Sequence, residues 1–273
     1  MEHETVLRLG IFLGVLAMVA VWERVAPRRR RSLPRSQRWL PNLSLIAIDT
    51  LLVRLLFPVT AVTLATLGAE RGWGLLNQFA WAPWVETLIA IIVLDLVIYL
   101  QHATFHALPL LWRLHMVHHA DLDLDVTTGL RFHPLEIMLS MGIKLAAVHA
   151  SGASAMAVMI FEILLNGMAL FNHGNLYIPK EIERILRLVF VTPDMHRSHH
   201  SLLASEANMN FGFNLSWWDR ILGTYCPHPA KGHEAMEIGL GHLREPKRCQ
   251  PLTALLLLPF HAKTGEYTIN RRW

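Results

Sequence analysis

Long apolar segments are the feature that most constrains how this chain can fold. They run approximately from Val6 to Trp22, Leu43 to Gly68, Trp81 to His102, Ile137 to Val148 and Ala153 to Phe171. A helix needs about 20 such residues to cross a bilayer, and 53% of the chain is hydrophobic while only 17% is charged. The sequence therefore predicts an all-α integral membrane protein, a helical bundle of about four spans.

The last two apolar segments form a pair. They are separated by His149, Ser151 and Gly152, which predicts a helical hairpin. Because its first limb is short for a span, the pair is interpreted either as two spans or as one re-entrant hairpin.

A run of arginines follows the first apolar segment. Seven arginines lie between Arg24 and Arg38, in a chain whose net charge is only +4. Positive residues beside a span mark its cytoplasmic side, and this explanation is preferred to nucleic-acid binding, so no nucleic-acid partner is expected. The first residues, MEHETVLRLG, lack the positive start and the cleavage site of a secretory signal. We therefore expect the first apolar segment to stay in the mature protein.

Counting spans from the arginine run gives a topology. The second span leaves the cytoplasmic side and the third returns to it, which brings His102 and His106 to the cytoplasmic face, and the hairpin then brings His173 to the same face. Residues 1–80 are predicted to hold the N-terminal spans and the basic loop, and residues 81–273 the region with the histidine motifs, within one fold overall.

Histidines are concentrated where these apolar segments end. The chain carries HxxxH at His102 and His106, and it carries HxxHH twice, beginning at His115 and at His196. Residues three or four apart share a helix face, so each motif can direct at least two imidazoles into one site. Isolated solvated histidines do not explain such patterned groups. The candidate metal ligands are His102, His106, His115, His118, His119, His133, His173, His196, His199 and His200.

Ten ligands are too many for one ion. Imidazole suits zinc, copper, iron and nickel, and two ions with four or five histidines each would use the set. The Glu-x-x-His pairs of carboxylate-bridged di-iron proteins are absent, so we expect a histidine-rich dinuclear metal site. Cys226 and Cys249 lack metal-ligand spacing and are expected to be free thiols.

Six motifs occur in order between about Asp95 and Tyr225, nearly half of the chain. They read HATFH, HMVHH, TGLRFHPLE, NHGN, VTPDMHRSHH and NFGFNLSWWDRILGTY. In this order they resemble the fatty acid hydroxylase and sterol desaturase superfamily of membrane di-iron proteins. The resemblance implies a mushroom-like helical membrane protein whose cytoplasmic cap holds two metal ions. It implies nine of the ten histidines as ligands and His133 as a tenth, whereas His149 belongs to no motif and serves as a control.

The resemblance also implies a reaction. It points to an oxidoreductase that hydroxylates or desaturates a lipid such as a fatty acyl chain, an amino-lipid or a sterol. The implied cofactors are two iron ions, which zinc can replace in the isolated protein, and dioxygen is the co-substrate. Fused electron donors of this family carry HPGG, but the HP pairs here, at His133 and His228, are followed by other residues. A separate donor such as a cytochrome b5 or a ferredoxin is therefore expected.

Two aspartates are candidates for catalytic roles. Asp95 lies seven residues before His102, on the same helix face two turns away, and an ionisable residue within a span is a functional candidate. It either orients a ligand imidazole or pairs with Arg54 or Lys144. Asp219 in WWDR poses the same choice, and there the resemblance favours the orienting role.

Two other classes of membrane protein remain open from the residues themselves. A histidine-rich metal transporter or a metal-binding protein without oxygenase activity would also need many imidazoles, although transport sites lie near the midplane of the spans. A bis-histidine haem protein would leave most of these histidines unused. Metal content and an optical spectrum distinguish these classes.

Overall fold

The computed structural model describes residues 2–261 and 263–269, and within them the regular structure is helical. Two short 3-10 helices lie at Leu76–Gln78 and Val126–Leu130. The α-helices are α1 (Glu2–Val25), α2 (Arg35–Leu56), α3 (Ala61–Arg71), α4 (Pro83–Ala107), α5 (Pro109–His119), α6 (Pro134–Ser151), α7 (Ala155–His173), α8 (Lys180–Leu186), α9 (Pro193–His199), α10 (Ala204–Ala207), α11 (Trp217–Ile221), α12 (Gly232–Ala235), α13 (Pro246–Cys249) and α14 (Leu252–His261).

Four helical stretches of the described chain are long and apolar enough to cross a membrane. They are Thr5–Val25, Arg35–Gln78, Pro83–Ala107 and Ala155–His173. The prediction of an all-α integral membrane protein with about four apolar spans is thereby confirmed. Helix α6, the first limb of the expected hairpin, is not among the four.

The second apolar segment is broken into α2 and α3. Phe57 is extended and ends α2, Pro58 follows, and the Thr60 hydroxyl caps α3 by accepting a hydrogen bond from the Thr63 amide at 3.1 Å. Proline provides no amide hydrogen for a continuous helix, and threonine is a favourable N-cap. A new helix therefore starts after the proline, where the sequence predicted a kink.

The hairpin of α6 and α7 turns at Gly152, in the left-handed conformation (φ 70°). The Ser154 side chain caps α7, and its hydroxyl donates to the Glu86 carboxylate on α4 at 2.7 Å. A Cβ atom at Gly74 would lie 2.2 Å from the Gly152 nitrogen, so the turn packs directly against the loop after α3. With 19 residues, α7 carries its last residue, His173, about 27 Å from this turn.

Buried apolar residues and one ionic cluster join the spans. Ala90 and Leu94 of α4 pack against Ala157 and Phe161 of α7 in one buried cluster. At a similar depth the Glu162 carboxylate joins three helices, because it accepts from Arg8 of α1 at 2.6 Å and also pairs with Lys144 of α6. An ion pair within a span needs partners of this kind, since lipid supplies none.

The arginine run packs against the part of the chain that follows the spans. Arg38 is fully buried and donates to Asp121 at 2.7 Å and to Asp125 at 2.5 Å. Burial raises the pKa of Asp121, but Arg38 and a second neighbouring guanidinium group outweigh this effect and leave that pKa well below its usual range. Arg28 reaches Asp194 of α9 at 3.3 Å. The arginines therefore lie at the same end of the molecule as the HxxHH motif on α9.

Candidate metal centre

Nine of the ten candidate histidines converge at one end of the spans. His102 and His106 occupy the last turns of α4, and His173 ends α7. The HxxHH motifs lie on α5 and on α9 with its C-cap. All nine side chains are at most 7% exposed. Packing of α5 and α9 against the ends of two spans thus builds one buried histidine centre.

The nine histidines form two groups among the described residues. Within each group the candidate ligand atoms lie within 4.8 Å of one another, close enough to hold a metal ion. The five-histidine cluster consists of His102, His106, His115, His119 and His199. The four-histidine cluster consists of His118, His173, His196 and His200.

Each HxxHH motif divides between the two clusters. In the motif on α5 the first and last histidines join the five-histidine cluster, and His118 joins the four-histidine cluster. The motif on α9 reverses this assignment, and only His199 joins the five-histidine cluster. Adjacent residues on a helix point about 100° apart, so one motif can face two ions. The two clusters are therefore interlocked.

Hydrogen bonds assign the tautomers of two facing imidazoles. His118 Nδ1 lies 3.2 Å from the Arg131 carbonyl oxygen, and His173 Nδ1 lies 2.6 Å from the Ala169 carbonyl oxygen. A carbonyl only accepts, so each neutral ring carries its proton on Nδ1. The Nε2 atoms of the two rings, 3.0 Å apart, then both present lone pairs. Two facing lone pairs repel each other unless a cation lies close to both.

The spacing of the other nitrogens also fits metal ions. His196 Nε2 lies 2.8 Å from His173 Nε2, and His106 Nε2 lies 3.2 Å from His119 Nε2. Ligands that sit about 2.0–2.1 Å from a shared ion are about 3 Å apart. In addition, the Nε2 atoms of three further rings of the five-histidine cluster are buried without a hydrogen-bond partner in the described chain; they belong to His102, His115 and His199.

Burial keeps these imidazoles neutral. It lowers the pKa of His115 to about 3, and it lowers the pKa values of His118 and His199 well below their usual range, with neighbouring histidines contributing further. Metal binding requires the unprotonated nitrogen. The centre therefore presents metal ligands in their binding form at neutral pH.

Groups outside the centre orient the rings. His102 Nδ1 donates to the Phe211 carbonyl at 2.9 Å, and His115 Nδ1 donates to the Glu136 carboxylate at 2.7 Å. His106 Nδ1 is 3.2 Å from the Asn208 side-chain oxygen. Such contacts fix both the tautomer and the direction of a ligand. Glu136 and Asn208 were not anticipated, although Glu136 follows His133 in the RFHPLE motif.

Asp219 and Asp95 act on a loop and contact no imidazole. Asp219 accepts from the Phe211 amide at 2.8 Å and from the Gly212 amide at 2.9 Å. The peptide that joins these residues thus receives His102 Nδ1 on its carbonyl and donates its own amide to Asp219. Burial raises the pKa of Asp219 to about 6, against these hydrogen bonds.

Asp95 holds the next part of the same loop. Its carboxylate accepts from the backbone amides of Asn214 at 3.2 Å and Leu215 at 3.1 Å, and from Trp218 Nε1 at 2.9 Å. Lys144, one expected partner, pairs with Glu162 instead. Asp95 therefore positions the loop that carries Phe211, and its influence on His102 is indirect.

Two histidines lie outside both clusters. His133 caps α6: its Nδ1 accepts from the Leu135 amide and its Nε2 donates to the Leu256 carbonyl, both at 3.2 Å. Both nitrogens of His133 are therefore engaged in hydrogen bonds, and the ring belongs to neither cluster. His149 lies near the end of α6 away from the clusters, where its ring contacts Trp73 edge to face at 5.1 Å.

Comparison with known proteins agrees with this centre. The family model for fatty acid hydroxylase matches residues 87–224, half of the chain. An ornithine lipid hydroxylase from Rhizobium tropici is 24% identical over 96% of this chain and 78% of its own length. Sphinganine C4-monooxygenase 1 from Arabidopsis thaliana is 26% identical over 76% of this chain and 80% of its own length.

Other comparisons are more partial. Alkylglycerol monooxygenase from Xenopus tropicalis is 26% identical over 61% of this chain but over only 39% of its own length. No solved structure gives a significant match. The family match covers every residue of both clusters. The chain therefore belongs to the fatty acid hydroxylase family, which confirms the predicted resemblance and the predicted class of enzyme, a membrane oxidoreductase that acts on lipids.

Proposed function

We propose that this protein is a dioxygen-dependent hydroxylase of membrane lipids with two iron ions, one in each histidine cluster. The observation that carries the proposal is the pair of unprotonated Nε2 atoms of His118 and His173, which face each other at 3.0 Å in a fully buried site. A cation between these lone pairs removes the repulsion. Family membership makes iron the proposed metal rather than zinc.

The histidines would hold the ions, and the surrounding residues would keep the ligands in place. When bound, a di-iron centre supplies the activation of dioxygen that attack on an unactivated C–H bond requires. Glu136 and the Phe211 carbonyl hold His115 and His102 in the ligating tautomer. The low exposure of all nine imidazoles excludes bulk water from the reacting carbon.

The proposed substrate is the acyl chain of a polar membrane lipid, with an amino-lipid as the first candidate. The relative that matches 96% of this chain is named an ornithine lipid hydroxylase, and a second relative is a sphinganine monooxygenase. Both names favour hydroxylation over desaturation. Because α4 and α7 end at the clusters, a lipid moving between spans would bring its chain to the centre from the membrane.

We further propose that the centre lies in a helical cap on the cytoplasmic face. Arg28 and Arg38, from the run that marks this face, bind the residues around the clusters. We keep both interpretations of α6 and α7, as two spans or as a re-entrant hairpin. Cys226 is partly exposed and Cys249 is buried, so a membrane-impermeant thiol reagent should label Cys226 only after cells are permeabilised. Labelling in intact cells would contradict this topology.

Hydroxylation also requires two electrons, which we propose come from a separate carrier such as a cytochrome b5 or a ferredoxin. The test uses iron-loaded protein in nanodiscs with amino-lipid, a ferredoxin reduced by NADPH through a flavoprotein reductase, and isotopically heavy dioxygen. The expected product is a lipid heavier by one labelled oxygen atom, formed repeatedly only with the carrier. Sustained turnover without a carrier would contradict the donor proposal. Protein with two bound ions that leaves every supplied lipid unchanged would contradict the hydroxylase proposal.

A further inference from the structure

An apolar surface lies outside the four candidate spans. Six large apolar side chains on two chain segments are each 38–68% exposed. We name this surface the apolar rim; it consists of Ile182, Ile185, Leu188, Phe190, Trp217 and Ile221. Soluble surfaces rarely leave so many large apolar groups together in water, so the rim requires a covering.

Hydrogen bonds to backbone carbonyls join the two segments into one surface. Trp217 Nε1 donates to the Leu188 carbonyl at 2.9 Å, and the Ser216 amide donates to the Val189 carbonyl at 3.0 Å. Arg220 donates to the Arg187 carbonyl at 3.0 Å. Helix α8 with its following residues and helix α11 therefore form a single surface.

Helix α8 exposes large apolar residues beside charged ones. Lys180, Glu181 and Arg184 are exposed, whereas the Glu183 carboxylate is buried, pairs with Arg187 and accepts from the Thr192 hydroxyl at 2.7 Å. Ile182 and Ile185 are also exposed, by 52% and 68%. A helix that exposes apolar and charged side chains together suits the boundary between lipid and headgroups.

The position of the rim along α4 identifies that environment. Trp218, beside Trp217, and the Leu215 amide donate to Asp95. Asp95 lies 12 residues into α4, about 18 Å along a helix that needs about 30 Å to cross the hydrocarbon. It also lies about 10 Å deeper than His102. The segment that carries Trp217 is therefore held at the level of the bilayer.

We infer that the apolar rim is embedded in the lipid leaflet beside the metal centre. It forms a non-spanning membrane attachment that continues the lipid-facing surface of α4. The exposed cations Lys180, Arg184 and Arg220, with one exposed anion, Glu181, lie in the same segments and suit the headgroup region, as does the indole of Trp217. This inference concerns attachment and holds whatever lipid the enzyme oxidises.

Spin labels test the inference in full-length protein. Ile185→Cys and Ile221→Cys, in a Cys226→Ser background that keeps the buried Cys249, are labelled with a nitroxide in nanodiscs of phosphatidylcholine and phosphatidylglycerol. Power saturation compares collisions with dioxygen, which concentrates in lipid, and with a water-soluble nickel chelate. Both labels should collide more with dioxygen than with nickel, as should a label at Leu88→Cys on the exposed surface of α4.

Glu234→Cys provides the aqueous control, because that side chain is 81% exposed. Its label should collide mainly with nickel. The inference is overturned if both rim labels, like the label at position 234, collide mainly with nickel, because the rim would then lie in water. It is equally overturned if both rim labels are shielded from both reagents, which would show that a second copy or another protein covers the rim.

Discussion

The two histidine clusters are built from the same motifs but are held differently. Four of the five histidines in the five-histidine cluster have Nδ1 partners outside it: the Phe211 and Met209 carbonyls and the Glu136 and Asn208 side chains. In the four-histidine cluster only His118 and His173 have such partners. The Nδ1 atoms of His196 and His200 are buried with no partner in the part of the chain described.

This difference indicates which of the two clusters would bind a metal ion more firmly. A ring whose outer nitrogen is hydrogen-bonded is already oriented for its ion, and loss of such contacts typically costs 10- to 100-fold in metal affinity. The five-histidine cluster has more ligands and more of these contacts. We therefore expect the ion in the four-histidine cluster to bind more weakly and to leave first.

Removing a ligand should have the largest effect. His173→Ala leaves three imidazoles in the four-histidine cluster and should empty it, whereas His199→Ala leaves four in the other cluster and should retain part of its ion. Both variants should lose turnover by about 100-fold or more. Metal per chain, by plasma emission on monodisperse protein, and product formation provide the measurement.

His149→Ala is the matched control, since this ring contacts Trp73 at the far end of α6. It should keep both ions and full turnover. If His173→Ala and His199→Ala also kept two ions and full turnover, the two-ion interpretation would be wrong.

The motifs predicted which histidines gather at one end of the spans but not how these histidines divide between two clusters. Spacing along α5 placed His115 and His119 on one face, and the structure has both in the five-histidine cluster, but the adjacent His118 lies in the four-histidine cluster. That division depends on the position of His173 at the end of α7 and on the position of α9. Both positions are set by tertiary packing, which the spacing of the motifs does not contain. Asp95 was singled out because it is charged within a span, yet its partner is a loop more than one hundred residues later.

Acidification should have the second largest effect, and it should affect the two clusters at different pH values. Burial depresses the pKa of His115 to about 3 and that of His118 well below its usual value. Below a pH of about 6.5 the unfolded chain therefore binds more protons than the folded chain. The contribution of these neutral rings to the free energy of unfolding is fully present above that pH and falls as the pH decreases. His115 alone costs about 1.4 kcal/mol per pH unit between about 6.5 and 3.

Two measurements follow from this titration. The Tm of metal-free protein should fall between about pH 7.5 and pH 5.5. In loaded protein, metal release on acidification should show two steps, and the four-histidine cluster should empty first. A Tm that rises on acidification would contradict the neutral, buried state of these rings.

Glu136→Ala should have an intermediate effect confined to the five-histidine cluster. The variant removes the acceptor that orients His115, and the expected loss is about 10- to 100-fold in affinity for one ion. Glu136→Gln keeps an acceptor oxygen and should recover most of that affinity. Chelator competition measures it. Equal losses in the Ala and Gln variants would show that His115 does not depend on this hydrogen bond.

Asp219→Asn should have a smaller effect on the same cluster. One amide oxygen can still accept from the Phe211 or Gly212 amide, but the NH2 group opposes the second donor. The Phe211 carbonyl should then hold His102 less firmly, with a loss of about 10-fold in affinity for that ion. The ion in the four-histidine cluster should be unaffected, and a loss there instead would contradict the positioning role.

His133→Ala should have the smallest effect. It tests whether nine of the ten predicted ligands belong to the two clusters while His133 lies outside both. Because His133 caps α6 through the Leu135 amide, its loss should cost about 1 kcal/mol of stability, or about 2–4 °C in Tm for a chain of this size. His133→Asn restores a capping oxygen and should recover most of that loss. Both variants should keep two ions and near-normal turnover. If His133→Asn released an ion although it unfolded at the same temperature as the parent, the ring would be a ligand, and the division into two clusters would need a tenth histidine.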